Sequence, residues 1–157
     1  MVLDEAVRAA TELRAPLAAE VEEARGERTL FRTLDAQALL GRATARAAFN
    51  ARLARLEGAL RDALATAGTA LGLPEVTTEA LASREPRGAL ALSRTFAEIR
   101  SLAAAMGELD RLNQFLAQRA LRVVRGYVDA IAPAPAAYDR RGLRAAASQR
   151  AVLSSRV

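Results

Sequence analysis

Apolar residues recur along this chain in steps of three and four, the spacing of helices that each bury one face. The first run is Leu3, Val7, Ala10, Leu13, Leu17, Val21, Ala24 and Phe31, and it predicts a helix over about 2–32. Pro16 lies inside that run, so the helix is expected either to kink there or to hold its first turns loosely. Gly26 and Thr33 mark a weak stretch before Asp35, whose carboxylate is placed to cap the next helix. That second helix is predicted over about 36–71 on Phe49, Leu53, Leu56, Leu60, Leu64 and Leu71, and Gly72 and Pro74 close it. Residues 73–88 predict a connection holding one short turn from Thr77 or Thr78 to Ala82, with Pro86 and Gly88 ahead of the third long helix.

The third helix, over about 88–131, keeps one spacing throughout. Its stripe is Leu92, Phe96, Ile99, Ala103, Met106, Leu109, Asn113, Leu116, Ala120, Val123, Tyr127 and Ile131. About 44 residues at 1.5 Å each would reach roughly 66 Å, while a compact domain of this size has a radius of gyration of only about 15 Å. The expectation is therefore an all-α chain. Residues 1–131 form an elongated antiparallel bundle or coiled coil of three long helices. Residues 132–157 form a tail beyond Pro133 and Pro135. Asn113 is the one polar residue in the stripe. It is either a buried register-setting residue, as at coiled-coil core positions, or a polar contact at a partner groove.

Composition narrows the chemistry. The 157 residues include no Cys, no His and no Trp, and every one of the 23 basic residues is Arg. Thiolate and imidazole metal ligands, the commonest general base, P-loop lysines and Schiff bases are all excluded. The 18 acids form no recognisable acid–base pair, and no glycine-rich phosphate motif occurs. No enzyme, no cofactor and no metal site is expected. The chain opens with "MVLDEAVRAATELR", which has no basic start and apolar run, and no stretch approaches a membrane span. A soluble cytoplasmic protein without stable membrane insertion is the expectation.

Charge is uneven. Residues 132–157 hold Arg140, Arg141, Arg144, Arg150 and Arg156 against Asp139, so they supply +4 of the +5 net charge. With Tyr138 as the only aromatic in that tail, dense cationic and stacking requirements for nucleic-acid binding are not met. Leu143, Ala146, Arg150, Leu153 and Val157 again step by threes and fours. A helix this short is marginal alone in water, yet apolar enough to fold onto a partner. The alternative is that it packs back and caps the bundle.

"IRSLAAAMGELDRLNQFLAQRALRVVRGYVDAI" followed by "AYDRRG" resembles the C-terminal half of the FlgN-type flagellar export chaperones, with a Leu-Asn-x-x-Leu core, a break, and Tyr-x-x-x-Gly. "LFRTLDAQALLGRATARAAFNARLARLEGAL" is similar to the family's earlier break and Leu-rich charged helix. The family often has a second Asn where this chain has Phe115 and Leu116. The resemblance implies a chaperone for hook-associated, hook–filament junction proteins. It would bind their C-terminal segments, keep them unassembled and bring them to the export gate or its ATPase complex. It places partner binding at Asn113, Tyr138 and Gly142. Its substrate-binding tail begins at Leu143 and includes Ala146, Arg150 and Leu153. A monomer or weak homodimer is implied. The rival from another class is a structural coiled-coil adaptor or dimerisation module, which would self-associate strongly.

Overall fold

The computed structural model describes residues 1–132. They form four helices: α1 (Asp4–Thr33), α2 (Ala36–Ala70), α3 (Thr78–Arg84) and α4 (Pro86–Ile131). The all-α expectation holds, and the count of three helices is corrected to four. The extra element is the short turn of the connection, which is a helix in its own right because Thr77 Oγ1 accepts from Ala80 N at 3.1 Å and caps it. Pro86 does not precede α4 but opens it: its fixed φ suits a first helical position, where a missing N–H costs nothing. Gly88 also lies inside α4 and is buried. A Cβ built there would sit 2.8 Å from Leu3 Cβ, so any side chain at this position would force Leu3 to shift.

The chain divides into two units, Met1–Ala120 and Leu121–Val157. In the first, α1 runs through Pro16 without interruption, and its opening turns are not loose. Leu3, Ala6 and Ala10 have no exposed surface. No side chain of α1 itself caps it; instead Leu3 N donates to Glu85 Oε2 at 3.3 Å. An anionic carboxylate at the positive end of a helix is stabilising. Burial of Leu3 and Ala6 in the main core outweighs what Pro16 removes, one backbone donor. At its far end α1 stops on Leu34, whose φ of 53° lies in the left-handed region that a side chain disfavours. Asp35 follows and accepts from Ala38 N at 2.9 Å, capping α2 as its position predicts.

Cross-links give the directions. Contacts from α1 to the stretch that opens and forms α4 keep a nearly constant separation in sequence, 82 for Leu3–Glu85, 84 for Arg14–Glu98 and 89 for Ala24–Asn113, so α1 and α4 run parallel. Glu20 meets Arg46 while Glu27 meets Arg42, so α2 returns antiparallel to α1. The main core joins Leu3, just before α1, and Ala6, Ala10, Leu13 and Leu17 of α1 to Leu60, Ala63 and Ala67 of α2, Leu81 of α3, and Ala89 and Leu92 of α4. A second cluster packs Val21 and Ala24 against Met106 and Leu109. Alanines at the α1 and α2 contacts let the backbones approach, and the leucines supply the apolar area whose burial stabilises the unit.

Candidate functional site

Two features of the molecule depart from a plain apolar seam. The first is a polar cluster inside the unit Met1–Ala120. Glu20 falls on the apolar face of α1, three residues after Leu17 and four before Ala24, and is 6% exposed. Arg42 and Arg46, one turn apart on α2, both reach its Oε1, Arg46 at 3.0 Å. Arg42 Nε lies 2.9 Å from Glu27 Oε1, and Arg46 Nη2 donates to Asp110 of α4 at 2.6 and 2.9 Å. Arg46 also stands 5.7 Å over the Phe49 ring, within cation–π reach.

Asn113 completes this cluster. Its Nδ2 donates to the Ala24 carbonyl at 2.8 Å and to Glu27 Oε2 at 2.7 Å, and its Oδ1 is buried without a partner. The side chain that interrupts the stripe therefore ties α4 to α1 at one register, the role a polar residue plays in a helical seam. Burial alone would depress the guanidinium of Arg42. The hydrogen bond and charge of Glu20, with the charges of Glu27 and Glu23, outweigh it and raise the pKa further. Arg42 is permanently charged, and the cluster acts as a fixed set of ion pairs. Among the described residues no group of three or more His, Cys, Asp or Glu could hold a metal ion, and no helix is long and apolar enough to cross a membrane.

The second feature is the last three turns of α4. Every residue from Leu121 to Ile131 is exposed, and six of them are large and apolar: Leu121, Val123, Val124, Tyr127, Val128 and Ile131. Tyr127 is 69% and Ile131 80% exposed. At 3.6 residues per turn these six fall within an arc of about 160°. Arg125 lies at one edge of that arc, and Arg122 and Asp129 lie opposite it. Such a contiguous apolar face on a soluble helix marks an interaction surface rather than scattered surface hydrophobes. The arrangement offers no nucleophile or acid–base pair; what it can do is bind another helix.

Of the positions singled out in the sequence, Asn113 lies in the interior cluster. Tyr138, Gly142, Leu143, Ala146, Arg150 and Leu153 lie outside the described residues. The stripe reading did include Val123, Tyr127 and Ile131, but as seam. It passed over Leu121, Val124 and Val128, whose presence widens the apolar arc beyond a single seam and is the signal that could have flagged the face. It also passed over Glu20, Glu27, Arg42 and Arg46. Two glutamates seven apart on an apolar stripe, and two arginines four apart, were the available clue.

Against known families, a family model described as FlgN protein matches residues 5–146. No curated protein and no solved structure matches the chain.

Proposed function

The chain belongs to the FlgN family, whose general role is flagellar export chaperone, and on that premise we propose that it binds the C-terminal segments of hook-associated proteins. In this reading it acts in the cytoplasm, prevents premature assembly of those subunits and delivers them to the export gate or its ATPase complex. The observation that supports it most is the exposed apolar face from Leu121 to Ile131, because a chaperone that shields an assembly-prone helix needs a helix face of its own to offer. The groove-and-helix mode of peptide recognition uses such faces, with anchors at helical spacing.

We extend the client site from that face into the segment that follows, with Leu143, Ala146, Arg150 and Leu153 as further contacts. Tyr138 and Gly142 serve at the junction between client and export machinery. Asn113 contributes indirectly, by holding α4 in register on α1. Before the client arrives the chaperone is a monomer or weak homodimer.

The test is capture of a hook-associated C-terminal segment by the full chain and by a chain ending at Ala137. The shortened chain is expected to lose most of the affinity while its thermal melt stays nearly unchanged. Undiminished capture would remove the segment after Ala137 from the site. Failure of the full chain to bind any such segment would remove the client reading altogether.

A further inference from the structure

The two units differ sharply in charge. Met1–Ala120 holds as many acids as arginines, 16 of each, and is neutral overall. Leu121–Val157 holds the other seven arginines against only Asp129 and Asp139, so it carries the entire +5 of the chain. The unit that presents six large apolar side chains on one helix face is thus also the unit with all the net positive charge.

From this coincidence we infer that the partner covering the Leu121–Ile131 face is an amphipathic helix whose flanks are acidic. The inference rests on the proposed client site and names the chemistry of what that site accepts. Three observations support it over other occupants. A second copy would bring the same net positive charge in its own Leu121–Val157 unit, and like charges across an interface are penalised. The chain's own residues 133–157 have a net charge of +4, the same sign as Arg125, the ionic residue at the edge of the face. A bilayer surface is matched in charge, but the face has one Leu, Leu121, and one Tyr, Tyr127, beside the β-branched Val123, Val124, Val128 and Ile131, and no Trp or Phe. Membrane-surface helices favour Trp, Phe and Leu there, whereas β-branched residues have one preferred rotamer in a helix and lose little freedom when another helix packs on them.

The experiment uses the full chain and three synthetic helix-forming peptides of about 21 residues with the same Leu/Ile seam. Their flanking positions are all Glu, all Gln or all Arg. The Glu peptide is expected to bind about tenfold or more tightly than the Gln peptide at low salt, and the Arg peptide not measurably. The gap should shrink several-fold at 0.5 M salt, where screening shortens the reach of surface charge. Replacing Arg125→Gln, at the edge of the face, should reduce the Glu preference about threefold. Val124→Asp with Val128→Asp should abolish binding of all three peptides. All three side chains are exposed, so far-UV circular dichroism is expected to match the parent.

Equal affinity for the three peptides would overturn the inference, as would peptide binding untouched by V124D/V128D. Binding to vesicles of anionic phospholipid in place of the peptide would overturn it in favour of a membrane. Tight self-association on sedimentation that V124D/V128D abolishes would overturn it in favour of a second copy. A chain that selects the Glu peptide yet ignores hook-associated segments would uphold this inference and sink the client reading. A chain that binds those segments without charge preference would do the reverse.

Discussion

Two stretches of α4 carry the same spacing and meet opposite fates. Leu92, Met106, Leu109 and Asn113 are buried against α1 and its neighbours, with Asn113 bonded to Ala24 and Glu27. Val123, Tyr127 and Ile131, which continue the stripe by threes and fours, are all exposed. Helical period states which face is apolar; it does not state whether anything covers that face. The first stretch serves stability, and the second is the one the proposed function assigns to binding.

That contrast can be broken at several points. The largest effect is expected at Glu20→Ala, which takes the buried carboxylate from between Arg42 and Arg46 and leaves the half-buried Arg42 with only Glu27 beside it. Removing one member of a buried ion pair costs about 3–5 kcal/mol, and urea unfolding should read it. If the loss is under about 1 kcal/mol, the cluster is not holding α1 to α2. Close behind, Leu92→Ala should destabilise by about 2–5 kcal/mol because it empties a fully buried site. Ile131→Ala, a truncation of the same kind one stripe later, should stay within about 0.5 kcal/mol. Similar losses at the two sites would erase the division between buried and exposed stretches.

Gly88→Ala sharpens the packing at the start of α4. The added methyl would meet Leu3 Cβ at 2.8 Å, and overpacking of this kind costs about 1–3 kcal/mol. A thermal melt at or above that of the parent would show that Leu3 can move aside. The smallest effect is expected at the surface pair of Glu5 and Arg8. Hydrogen bonding to Arg8 holds the Glu5 carboxyl below its ordinary value. A lowered carboxylate adds stability above its unfolded pKa, and that contribution is lost as pH falls through the folded value. Glu5→Gln should therefore lower the melt slightly near neutrality, with the difference from the parent fading as pH falls below about 4.5 and the parent's carboxylate protonates. With both groups fully exposed, even that difference should be hard to detect.

How much of this was legible beforehand differs from element to element. Asp35 as the cap of α2 could be read directly, because capping is a local affair between a carboxylate and the amide three residues on. The connection after α2 was half legible: Thr77 as a start signal was visible, but whether one turn becomes a helix depends on Leu81 finding a place in the core. Pro16 misled, since a proline reports a lost donor and not the burial of Leu3 and Ala6 that holds the turns around it. Gly88 misled for a similar reason. It resembles a helix breaker in one dimension and is a contact point in three.

The sequence by itself determined the all-α class, the apolar face of each long helix, the capping at Asp35 and the concentration of charge toward the C-terminal end, because each follows from residue type and short-range spacing. Only the tertiary structure decided that Asn113 lies inside, that Glu20, Arg42, Arg46 and Asp110 meet across three helices, and that the apolar stripe of α4 is covered as far as Asn113 and open beyond Leu121. Those facts depend on which residues distant in sequence come within a few ångströms of one another. No periodicity along one chain can report that.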